Sequence, residues 1–146
     1  MRILFMLLPA LAWAQSDSAI ERAILAANAQ VTQAAESRDA ARLFSFMVDT
    51  KKGSIIQDGI LSLTPADARA RVEPGMQRPV KVTYRWKQHH VTVISPEAAL
   101  LVSDGETIVT TDTGARTQPF VQTTIWVLRD GAWKILHAHQ STPRNL

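Results

Sequence analysis

The side chains in this sequence able to move a proton near neutral pH are few: four histidines, a single tyrosine and scattered carboxylates, with no cysteine. Thiol chemistry is therefore excluded. Two of the histidines stand together in His137-Ala138-His139. On a β-strand, positions i and i+2 share a face, so this spacing sets two imidazoles side by side. Such a pair can chelate a metal or act as general acid and base. A metal site needs a further protein ligand, and Asp58 and the His89-His90 pair are the candidates, with nothing in the sequence to bring them near. Adjacent residues on a strand point to opposite faces, so His89-His90 is read as structural and no metal site is predicted. Acid–base work is the better reading. His137 or His139 would carry the proton, Tyr84 would donate to a developing enolate, and Asp58 would serve as a base or orient a histidine.

These histidines must be positioned by the run Val121 to Ser141, VQTTIWVLRDGAWKILHAHQS. Asp130-Gly131 between two β-rich segments predicts a hairpin with a type I′ turn. The register that follows sets Leu128 opposite Trp133, Trp126 opposite Ile135, Thr124 opposite His137 and Gln122 opposite His139. By parity, one face carries Gln122, Thr124, Trp126, Trp133, His137 and His139, and the other is mainly aliphatic. Aromatic walls with a few polar groups suit a ligand pocket. The predicted ligand-binding residues are therefore Trp126, Trp133, Thr124, Gln122 and, from the strand Val80 to Trp86, Trp86. The same face could instead be covered by a partner subunit or by water.

The segment TIWVLRDGAWKILHAHQSTP resembles the last hairpin of SnoaL-like and DUF4440-type proteins of the nuclear transport factor 2-like (NTF2-like) superfamily. It is similar also to the association domain of calcium/calmodulin-dependent protein kinase II, which likewise has Trp, Asp-Gly, Trp and then His-x-His. Gln140 and Thr124 stand where that domain has pocket arginines, so its anionic-ligand pocket does not carry over. The resemblance implies an α+β, cone-like fold with N-terminal helices on one face of a curved antiparallel sheet. It also implies a small-molecule pocket. Two functional readings follow: a non-catalytic ligand-binding or oligomeric module, or a cofactor-independent isomerase, dehydratase or cyclase acting on a small apolar substrate. The first is preferred because no nucleophile elbow, metal triad or phosphate loop occurs.

At 146 residues the chain fits one domain. Residues 1–14 read as a secretory signal peptide: Arg2, an apolar stretch from Ile3 to Leu11, and Ala12-Trp13-Ala14 before Gln15. The expected domain is 15–146, periplasmic or secreted, with no stable membrane anchor after cleavage. The net charge of +3 includes Arg2, and Arg69, Arg71, Arg78, Lys81, Arg85 and Lys87 read as a solvated face, so nucleic acid is not an expected partner. No cofactor is expected.

Along the chain, Ser18-x-x-Glu21 predicts a capping box. Ile20, Ile24, Ala27, Val31 and Ala34 then mark one apolar helical stripe. Asp39 caps a second helix through Leu43, Phe44 and Met47. Asp58-Gly59 predicts a hairpin. Thr64, Pro65 and Asp67 open a third helix, expected to stop before Pro74-Gly75. Val80, Val82, Tyr84 and Trp86 alternate, and the shift of phase to Val91 and Val93 predicts a β-bulge near Lys87–His90. Residues 98–111 read as one strand interrupted at Asp104-Gly105 or as a pair. A sheet with helices on one side leaves a broad face, so a homodimer is expected.

Overall fold

The computed structural model describes residues 16–143, and the expected signal segment lies outside the described residues. Along the chain come α1 (Asp17–Glu36), α2 (Ala40–Ser45), β1 (Ile55–Gln57), β2 (Ile60–Ser62), α3 (Pro65–Met76), β3 (Lys81–Ser95), β4 (Ala98–Thr111), β5 (Gly114–Arg129) and β6 (Ala132–Ser141). The strands form one curved sheet in the order β2-β1-β6-β5-β4-β3. Helices cover one face, giving the expected α+β cone. The sheet is mixed rather than wholly antiparallel, because β1 runs parallel to β6. The chain leaves α2 through a parallel bridge between Met47 and Ile135, and so comes alongside β6 already travelling in its direction.

Ser16, two residues earlier than expected, caps α1 by accepting from Ala19 N, and Asp17 lies in the first turn where the helix dipole favours an anion. The buried stripe holds Ile20, Ile24 and Ala34, as the spacing predicts, but also Asn28. Ile20 and Ile24 pack on Ala99, Leu101, Trp126, Ile135 and Ala138, the centre of the core. Asp39 caps α2, accepting from Arg42 N at 2.9 Å. Thr64 and Asp67 form a capping box at the start of α3, with Pro65 in its first turn.

The third helix does not stop before Pro74 but continues through it to Met76. Proline removes one N–H donor, yet the last-turn carbonyls are held from outside. Arg38, in the left-handed region at φ 60° just past α1, donates from Nε to Met76 O at 2.6 Å and from Nη2 to Gly75 O at 2.5 Å. A cation at a helix C-terminus is favourable, and this one ties α1 to α3.

Both Asp-Gly turns form as expected, with positive φ at Asp58, Gly59, Asp130 and Gly131. The predicted bulge in β3 lies between Trp86 and Gln88. Residues 98–111 are one continuous strand. A second bulge, which the expected register lacks, separates Ile125 from Trp126: Trp126 pairs with Ile135, but Ile125 pairs with His137, leaving Leu136 unpaired. Its cause lies at the other edge of β6. Ile135 exchanges hydrogen bonds with the segment after α2, through Phe46 O and Val48 N, while Ala138 N donates to Ser54 O and β6 then pairs with β1. The extra residue lets β6 bend between these two partners.

Candidate functional site

The second bulge reverses the faces of the strand beyond it. Thr124 pairs with Ala138 and Gln122 with Gln140, while His137 and His139 pair with Ile125 and Thr123. Ala138 and Gln140 thus share the helix-covered face with Gln122, Thr124 and Trp126, and the two histidines lie on the opposite face.

Between the helices and this face is a cavity of about 120 Å³. Its apolar wall comes from Val31 and Ala35 of α1, Leu43 and Phe44 of α2, Met47, Val72 and Met76 of α3, Ile55, Ile135 and Ala138. Tyr84 and Trp86 of β3 close one side, their rings stacked with centroids 5.7 Å apart and planes 17° apart. The Trp86 indole donates to Thr32 Oγ1 at 3.1 Å.

The polar groups of the cavity form a chain of amides. Gln140 Nε2 donates to Gln122 Oε1 at 3.4 Å, and Gln122 Nε2 donates to Asn28 Oδ1 at 3.3 Å. Asn28 is 2% exposed and Gln122 7%, so both depend on these partners and on whatever fills the cavity. Asn28 Nδ2 and Gln140 Oε1, a donor and an acceptor, are the chain's two unused ends among the described residues. The Tyr84 hydroxyl also makes no hydrogen bond among the described residues. Burial raises the Tyr84 pKa above its ordinary value, and the Glu36 carboxylate, which accepts from Tyr84 N at 2.8 Å, pushes the same way. The phenol therefore stays protonated and is a donor at neutral pH.

Residues 24–145 match the SnoaL-like domain family. The chain belongs to that family. A proposed dehydratase of the NTF2-like family from Streptomyces avermitilis superposes with a TM-score of 0.77 at 16% identity, covering 88% of this chain and 99% of that one. A proposed scytalone dehydratase from Novosphingobium aromaticivorans gives 0.76 at 14% identity, covering 87% and 86%. A proposed calcium/calmodulin-dependent protein kinase II association domain from Xanthomonas campestris gives 0.66 at 14%, covering 91% and 92%. At such identities these likenesses show the NTF2-like fold. Comparison with curated proteins finds no match.

Of the residues singled out in this SnoaL-like sequence, Tyr84, Trp86, Gln122 and Thr124 line the cavity together. Trp126 lies behind it, fully buried in the core, with Nε1 donating to Thr124 Oγ1 at 2.8 Å. Trp133 is half-buried against the same core and is not in the lining. His139 is exposed, and His137 donates from Nδ1 to Gly53 O at 3.1 Å. Asp58 turns the β1–β2 hairpin and accepts from Thr142 N at 2.8 Å and Thr142 Oγ1 at 3.1 Å, fastening the chain after β6. The structure thus separates His137, His139 and Asp58 from Tyr84. Asn28, Gln57, Thr32 and Gln140 are cavity residues that the sequence reading did not single out. Asn28 left one signal: it is a polar side chain one turn after Ile24, inside the apolar stripe.

His89 behaves as expected of a structural histidine. It lies beside Trp86 at 5.3 Å between ring centroids, with Nδ1 2.7 Å from Ser103 Oγ. Burial lowers its pKa, with Asp104 opposing and His90 adding to the shift. A folded-state pKa below the ordinary 6.5 means that the unfolded chain takes up the proton first. His89 therefore contributes stability that is complete above that pH and lost as pH falls through the folded value. Melting temperatures at pH 7.5 and at pH 5 should fall less steeply in His89→Asn than in the unaltered chain, and equal slopes would refute this.

Proposed function

We propose that this SnoaL-like protein binds a compact, ring-bearing molecule in the inner cavity and holds it without turning it over. The observation that carries the reading is the lining itself, in which apolar walls meet an aligned amide chain and, among the described residues, neither a carboxylate nor an imidazole takes part. Proton transfer near neutral pH calls for a group titrating there, and Tyr84, with its raised pKa, remains a donor. Amides and a phenol instead recognise a carbonyl or hydroxyl by hydrogen bonds. The volume of about 120 Å³ is near that of cavities of about 150 Å³ that accept a benzene ring.

The test uses 3-phenylpropanamide as probe. Titration should change Trp86 emission saturably, and calorimetry should still detect binding in Trp86→Phe, where the optical signal is lost. Ala35 lies on the cavity wall beside Val31 and Val72, so Ala35→Phe should block the space and weaken binding by at least about tenfold, or 1.4 kcal/mol. Circular dichroism should show the fold retained. Binding left intact by Ala35→Phe, or no heat up to the probe's solubility limit, would overturn the reading.

A further inference from the structure

A second chamber of different character adjoins the cavity. This outer space, of about 320 Å³, shares Ala35, Gln57, Val72, Met76 and Tyr84 with the inner one and adds Arg38 and Arg71. No acidic side chain lines it among the described residues. Neither guanidinium is in an ion pair among the described residues. On α3, Arg69 is paired with Glu73 at 2.9 Å, whereas Arg71 makes no ion pair or hydrogen bond among the described residues. Arg38 spends Nε and Nη2 on the carbonyls of Met76 and Gly75, which fixes its plane and leaves Nη1 without a partner among the described residues. The Glu36 carboxylate has one oxygen engaged by Tyr84 N and is outside the lining.

From this juxtaposition we infer that the ligand is an aromatic or alicyclic carboxylic acid, its ring in the neutral inner chamber and its carboxylate in the outer chamber between Arg38 and Arg71. The inference rests on the inner cavity being a binding site, and adds the charge and direction of what binds. A guanidinium presents its donors in a planar fork that matches a carboxylate. Arg38 is held in place before the ligand arrives, so its ordering costs little on binding.

The test compares 3-phenylpropionate with 3-phenylpropanamide on the full chain, following Trp86 emission. The acid should bind about fivefold or more tightly than the amide at low salt, as expected of a partly solvated ion pair, and the advantage should shrink as salt rises. Arg71→Gln should bring the acid down to the affinity of the amide and leave the amide unchanged. Equal binding of the two probes, or an equal loss of both in Arg71→Gln, overturns the carboxylate assignment while the inner cavity stands as a site. Failure of both probes to bind overturns the cavity reading and this inference with it. Competition by acetate alone, as strong as that by 3-phenylpropionate, would mean a surface anion site unconnected with the cavity and would likewise overturn it.

Discussion

Trp126→Ala is expected to remove about 3–5 kcal/mol of folding stability, a large share of the roughly 5–15 kcal/mol that holds a domain folded. Trp126 is fully buried among Ile20, Ile24, Ala99, Leu101, Ile135 and Ala138. Truncation would leave a void there that surrounding backbone, locked in helix and sheet, cannot close. It would also take away the donor to Thr124 Oγ1. The urea midpoint and the melting temperature measure the effect, and a loss below about 1 kcal/mol would contradict the placement, since even modest core truncations cost that much. Trp126→Phe separates packing from ligand contact. It keeps most of the ring and loses the N–H, at a cost of about 1–3 kcal/mol. Because Trp126 stands behind the lining rather than in it, probe binding in that variant should stay within about twofold, a change of roughly 0.4 kcal/mol. A residue contacting the ligand would not behave this way.

What the sequence discloses depends on whether the deciding interaction is local. Helix caps and Asp-Gly turns act within four residues, and Asp39, Thr64, Asp58-Gly59 and Asp130-Gly131 all do what their types predict. The bulge in β3 was legible because it shifts an alternating pattern from Tyr84 and Trp86 to Val91 and Val93. The bulge in β6 leaves no such mark: Ile135 and Leu136 are adjacent and both apolar, so either parity looks satisfied. Its cause is a change of partner strand, supplied by Phe46, Val48 and Ser54 some eighty or more residues away. That one unpaired residue sends His137 and His139 to the face away from the cavity and brings Ala138 and Gln140 to it. Energetically the observed choice is the cheaper one, since facing a small Ala138 toward α1 avoids taking two imidazoles out of water. The passage of α3 through Pro74 was hidden for the same reason, its stabilising donor being Arg38, in the turn between α1 and α2. The β3 and β5 parts of the site were therefore readable, and the β6 part was not.

Gly105→Ala is expected to cost about 3 kcal/mol, at the upper end of what overpacking usually does, and to disturb the cavity from outside it. Gly105 pairs with Trp86 beside the bulge in β3. A Cβ there would meet Arg85 O, and would lie 2.9 Å from Trp86 Cα and 3.1 Å from Arg85 C. All three are backbone atoms, so no rotamer change relieves the overlap and the strands themselves must separate. Separation would displace Trp86 and Tyr84, the side wall of the cavity. The stability loss should therefore come with altered near-ultraviolet dichroism from Trp86 and weaker binding of 3-phenylpropanamide, although residue 105 itself is not in the lining. Gly75→Ala is the matched control. No atom lies within 4 Å of a Cβ there, and the residue is helical with negative φ, so alanine should stabilise by about 0.4–1 kcal/mol by restricting the unfolded chain. The Gly75 carbonyl that Arg38 holds is retained, so the contact between α1 and α3 should persist. If Gly105→Ala were as harmless as Gly75→Ala, β3 and β4 could not approach as closely as the bulge requires. The aromatic wall of the site would then need another explanation.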